Sequence, residues 1–65
     1  MSKQVQNAQR IVHNVFFQLA GRDKVKFEEM AKSYAHHFET ETMTPELNAV
    51  VLAAKDIAKS RGYKY

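Results

Sequence analysis

Apolar side chains recur at three- and four-residue steps in three separate runs, and this spacing constrains the fold more than any other feature of the sequence. At about 100° per residue, such positions fill one side of an α-helix. The runs are Val5, Ala8, Ile11, Val12, Val15, Phe16, Leu19, Ala20; Phe27, Met30, Ala31, Tyr34, Ala35, Phe38; and Leu47, Val50, Val51, Ala54, Ile57, Ala58. They predict amphipathic helices over residues 3–20, 24–39 and 45–61, and no strand.

Residues that favour helix ends lie between these runs. Gly21 suits the position just after the first helix, where a left-handed backbone is common. Asp23 is typical of an N-cap. Thr44 followed by Pro45 predicts the start of the third helix, because Thr caps well and Pro fits the first helical position. Gly62 predicts the end of that helix.

The short connections between the runs favour an all-α, up-down-up three-helix bundle, since short loops join antiparallel neighbours. A crossed helix-turn-helix arrangement is the competing topology. We expect residues 1–65 to form one domain, with a short mobile C-terminal tail over residues 63–65. The apolar residues of the first helix fill half of its surface, more than two short neighbours need to cover, and a chain of 65 residues without cysteine has a small core and no disulfides. Self-association as a homodimer is therefore expected as well.

The sequence contains no pattern typical of catalysis or of cofactor binding. It has no Gly-rich phosphate loop and no nucleophile elbow. His36 and His37 would point about 100° apart on a helix, so no metal site is expected. The polar N-terminal stretch and the lack of a long apolar run argue against a signal peptide or a membrane segment. We therefore expect a non-enzymatic protein with no cofactor, and the lack of cysteine fits the cytoplasm.

The basic residues are distributed unevenly along the chain. In an up-down-up bundle the end of the first helix, the start of the second and the end of the third meet at one pole. The candidate nucleic-acid-binding residues at this pole are Arg22, Lys24, Lys26, Lys55, Lys59, Arg61, Tyr63, Lys64 and Tyr65. The cations would contact phosphates, and a tyrosine would stack on a base.

A simpler interpretation covers part of this set. Cations in the last turn of a helix offset the negative end of its dipole, which explains Lys59 and Arg61 without a ligand. Lys24 and Lys26 lie at the start of the second helix, where a cation is slightly unfavourable and unpaired N–H groups favour an anion. These two lysines are therefore the stronger indication of phosphate binding.

Two apolar residues fall outside the stripes. Phe17 lies among Arg10 and His13 on the polar side of the first helix, and Leu52 lies on the polar side of the third. These four residues form a candidate partner interface, because burying a Phe side chain is worth about 1.5–3 kcal/mol. Its occupant would be an acidic protein or a second copy of the chain.

The sequence thus leaves two function classes open. The first is a small regulatory protein that binds nucleic acid through the basic pole. The alternative is a protein-interaction module, a regulator or inhibitor of a larger complex of the kind that phages and mobile elements encode. The charge distribution slightly favours nucleic acid.

Overall fold

A computed structural model describes residues 3–65 of the chain, and it is all-α over that range. The elements are α1 (Lys3–Leu19), α2 (Lys24–Lys32), a 3₁₀ helix (Ala35–Glu39) and α3 (Pro45–Arg61). The predicted class, a small three-helix bundle, is confirmed. None of the helices in this range is long and apolar enough to cross a membrane.

The predicted N-caps of α2 and α3 are confirmed. The Leu47 N–H donates to Thr44 Oγ1 at 3.1 Å, and Pro45 follows in the first turn. The Val25 and Lys26 N–H groups donate to Asp23 Oδ1 at 3.0 and 3.3 Å. Each cap satisfies backbone N–H groups that have no partner within the helix.

Both glycines lie at helix ends with a left-handed backbone. Gly21 has φ +68° and Gly62 has φ +71°. After α1, the Arg22 N–H donates to Phe17 O and the Gly21 N–H to Gln18 O, which is the double bond of a Schellman turn. Arg22 also has a positive φ of 64°, an uncommon conformation for a residue with a side chain.

Helices α1 and α3 pack against each other as a parallel pair and form the centre of the fold. The start of α1 lies beside the start of α3, since Gln4 and Asn48 line the same groove. The end of α1 lies beside the chain that follows α3, since Gln18 Nε2 donates to Lys64 O at 2.6 Å. The largest fully buried side chains are Val5, Val12, Val15 and Leu47. This parallel relation of α1 and α3 is the one that an up-down-up bundle requires.

The second predicted helix is shorter than expected. It ends at Lys32 rather than at residue 39, and the chain continues through a turn into the 3₁₀ helix. Ser33 is the local cause: its hydroxyl donates to Met30 O at 2.7 Å, and such side-chain bonds to the backbone compete with helix continuation. The break leaves Ala35 exposed, although the helical pattern placed it on the apolar stripe, while Tyr34 and Phe38 are buried.

Candidate functional site

Six of the predicted basic residues lie at one end of the molecule. We call them the terminal basic cluster; they are Arg22, Lys24, Lys26, Lys59, Arg61 and Lys64, all exposed. The turn after α1 carries Arg22 directly into the start of α2. The bond from Gln18 to Lys64 then places the residues after α3 against the last turn of α1. Helix direction and one long-range hydrogen bond therefore bring three separate parts of the sequence to the same end.

Lys55 lies apart from this cluster. It lines a groove between α1 and α3, with Gln4, Asn7 and Asn48 among its neighbours. These neighbours belong to the first halves of their helices, away from the turn that contains Arg22. Lys55 therefore borders this groove, and Lys59 of the terminal basic cluster lies one turn beyond it on α3.

The start of α2 offers less to an anion than the sequence indicated. Asp23 already accepts hydrogen bonds from two of the amides that a phosphate would use. Its carboxylate also adds a negative charge next to Lys24. Phosphate contact at this end would therefore depend on the lysine side chains rather than on the helix N-terminus itself.

The two cations at the end of α3 lie where the helix dipole favours them. Lys59 and Arg61 are in the last turn, which Gly62 closes. The dipole accounts for their position without a ligand, as the sequence also indicated. Within residues 3–65, no member of the terminal basic cluster is held by a carboxylate in an ion pair. Their charges are therefore available to a ligand.

The two C-terminal tyrosines differ in their surroundings. Tyr63 is half-buried and packs against the core, and its N–H donates to Ala58 O at 2.9 Å. Tyr65 is 51% exposed. Of the two rings, Tyr65 is the one with a surface available for stacking. The mobility of residues 63–65 stays a prediction, although the contacts of Tyr63 and Lys64 hold this segment against the bundle.

The four residues of the predicted partner interface are not equivalent. Phe17 is half-buried, with its ring edge-to-face with Phe27 at 5.4 Å between centroids. His13 is also half-buried, whereas Arg10 and Leu52 are exposed, Leu52 by 53%. The placement of Phe17 on a purely polar side of α1 was wrong, because α2 covers that side of the helix.

The breadth of the apolar face of α1 therefore has an explanation within one chain. Helix α3 covers one side of α1, and α2 with the 3₁₀ helix covers the other. The homodimer stays a prediction, but the apolar face of α1 does not favour it, because other helices of the same chain cover that face.

His13 lies at the centre of an aromatic cluster. Its ring centroid is 5.5 Å from Phe27, 5.6 Å from Phe38 and 5.9 Å from Tyr34. Burial among these rings lowers the pKa of His13 below its usual 6.5, because the charged imidazolium loses water there. Burial likewise raises the pKa of Tyr34, whose hydroxyl is buried without a hydrogen-bond partner. His13 therefore links α1 to the segment from α2 through the 3₁₀ helix.

The groove between α1 and α3 was not predicted from the sequence. It encloses about 250 Å³ and is lined by Gln4, Asn7, Ala8, Ile11, Met43, Asn48, Val51 and Lys55. Its members come from the two ends of the chain, so no local pattern brings them together. The sequence feature that came nearest to indicating this groove was Leu52, an apolar residue on the polar side of the same helix as Asn48 and Lys55.

His36 and His37 are adjacent in the 3₁₀ helix, and their ring centroids lie 4.0 Å apart. Across residues 3–65, however, no group of three or more His, Cys, Asp or Glu side chains is arranged to hold a metal ion.

Comparison with protein-family models, with curated proteins and with solved structures finds no match to this chain.

Proposed function

We propose that this protein is a small non-enzymatic regulator that binds nucleic acid through the terminal basic cluster. The observation that carries the proposal is the hydrogen bond from Gln18 to Lys64. It holds the segment after α3 against the end of α1, so that cations from three parts of the chain share one end of the molecule.

The binding would be electrostatic and directed at the sugar-phosphate backbone. Lysine and arginine side chains that neutralise phosphates release counterions, and this release supplies the free energy. Contacts to phosphates carry no sequence information, so we expect little sequence preference. The exposed ring of Tyr65 could add about 1–3 kcal/mol by stacking on an unpaired base. This term favours single-stranded over double-stranded targets.

Fluorescence anisotropy with labelled single- and double-stranded oligonucleotides over a range of salt concentrations tests the proposal. For single strands, the slope of log K against log salt should be about −0.7 for each phosphate contacted. Reversal of Lys24 and Lys26 to Glu should remove most of the binding. Lys32→Glu is the matched control, because it reverses a charge on the same helix outside the cluster and should have a much smaller effect.

The contribution of the tyrosine is tested separately. Tyr65→Ala should weaken single-strand binding several-fold and leave the thermal melt unchanged, since this residue is exposed. Deletion of residues 63–65 is a poorer test, because it also removes the packing of Tyr63 and the Gln18 bond. Parent protein that shows no salt-dependent binding at low ionic strength would rule out the nucleic-acid function and leave the protein-interaction module as the function to test.

A further inference from the structure

We propose that the groove between α1 and α3 is a second binding site, which takes an acidic peptide segment of a partner protein anchored by aliphatic side chains. The proposal goes beyond the nucleic-acid function, because it concerns a different surface and a different class of partner. It rests on the chemistry of the groove lining, on its size and on the exposed residues that continue it along α3.

The lining has an apolar floor and polar walls. Ile11, Val51 and Met43 supply apolar surface, and Ile11 and Met43 are only half-buried in the free chain. Asn7 and Asn48 carry amides that can both donate to and accept from a peptide backbone. Met43 lies in the loop before α3, and its flexible thioether side chain can adapt to differently shaped partners.

Charge determines which peptide fits. Among residues 3–65, Lys55 is the only ionisable side chain that lines the groove, so no carboxylate of this range lies beside it in the lining. Leu52 is exposed one turn before Lys55 on the same helix. An occupant with a carboxylate near Lys55 and an aliphatic side chain over Leu52 would match both properties of the surface.

The size and composition argue against the other classes of ligand. A groove of about 250 Å³ is smaller than the roughly 300–1,000 Å³ of typical small-molecule sites, whereas one or two peptide side chains fit it. Nucleic acid is a poorer match for the groove, because among residues 3–65 its lining offers one cation and no aromatic ring for stacking.

Selection of a random peptide display library on the immobilised full chain tests the proposal. Enriched peptides should contain Asp or Glu next to Leu, Ile or Val. In ¹H–¹⁵N spectra of the chain, a selected peptide should shift the amide signals of Ile11, Asn48, Val51 and Lys55. Lys55→Glu should weaken that peptide at least tenfold, while Lys32→Glu should change its affinity less than twofold.

Three results would overturn the proposal. They are a selection with no acidic enrichment, peptides that shift signals outside the groove, and an affinity unchanged in Lys55→Glu. Sedimentation equilibrium adds a fourth: a homodimer dissociated by Lys55→Glu would assign the groove to a second copy of the chain.

A single-stranded oligonucleotide titrated into the same spectrum distinguishes the two surfaces. It should shift the signals of Arg22, Lys24 and Lys64 instead, and groove shifts from the oligonucleotide would also count against a peptide site.

Discussion

Two regions of the fold are stabilised by different kinds of side chain. One region is the α1–α3 pair, and the other is the segment from α2 through the 3₁₀ helix. The pair buries small aliphatic residues, with Leu47, Val12 and Ala54 fully buried along the contact. Helix α2 buries no residue completely and, within residues 3–65, does not reach α3. Rings join its segment to α1 at centroid distances near those typical of aromatic pairs, and the 3₁₀ helix of the segment also contacts α3.

This difference indicates that the two regions have different stabilities. Close packing of aliphatic side chains makes the α1–α3 pair sensitive to any loss of volume. Helix α2 itself has nine residues and buries none of them, and its ring Phe27 is only half-buried; the buried rings of the segment, Tyr34 and Phe38, follow α2. Local opening is expected to begin in elements with few buried apolar contacts, so α2 should open before α3.

The largest expected effect comes from truncating the α1–α3 contact. Leu47→Ala should reduce the free energy of unfolding by about 2–5 kcal/mol, because it removes a fully buried side chain and leaves a cavity. Met30→Ala removes a half-buried side chain from α2 and should cost only about 1 kcal/mol. Urea unfolding followed by circular dichroism measures both. Equal losses in the free energy of unfolding for the two variants would contradict the proposed difference in stability between the two regions.

A second prediction concerns pH and the aromatic cluster. Burial lowers the pKa of His13, so the unfolded chain binds this proton more readily than the folded chain. Stability from this residue is therefore present above the unfolded pKa of 6.5 and is lost as the pH falls through and below that value. Urea melts at several pH values across this range should show a decrease toward acid that His13→Leu reduces.

The exposed His36 provides the control for this pH dependence. His36→Gln should keep the decrease in stability toward acid, because that side chain is not part of the aromatic cluster. If His13→Leu and the parent lose the same stability between neutral and acid pH, His13 does not couple protonation to the packing of the cluster.

The smallest expected effects come from the two N-caps. Thr44→Ala and Asp23→Ala each remove a side-chain acceptor and should cost about 1 kcal/mol at the affected helix end. Because α3 belongs to the central pair, the Thr44 change should lower global stability in urea melts. The Asp23 change should mainly speed amide hydrogen exchange in α2. Global destabilisation of equal size by both changes would show that α2 unfolds together with the pair.

The sequence predicted those parts of the fold that depend on local chemistry. Apolar spacing located all three helices, and Thr44, Asp23 and Gly62 marked ends that the structure confirms. These predictions succeed because caps and left-handed glycines act within a few residues of their own position. Short loops determine helix direction, so the sequence also allowed the basic residues to be assigned to one end of a bundle.

Tertiary structure decided what local patterns could not. The stripe from Phe27 to Phe38 has helical spacing throughout, yet the chain leaves the α-helix after Lys32 and buries Tyr34 and Phe38 from a turn and a 3₁₀ helix. The sequence placed Phe17 and His13 on the polar side of α1, but in the folded chain both rings pack against Phe27. The groove that Lys55 lines could not be predicted for a similar reason, because its neighbours Gln4 and Asn7 there are about fifty residues away in the chain. Helical spacing determines which residues share a face, but only the packing of one helix on another determines what covers that face.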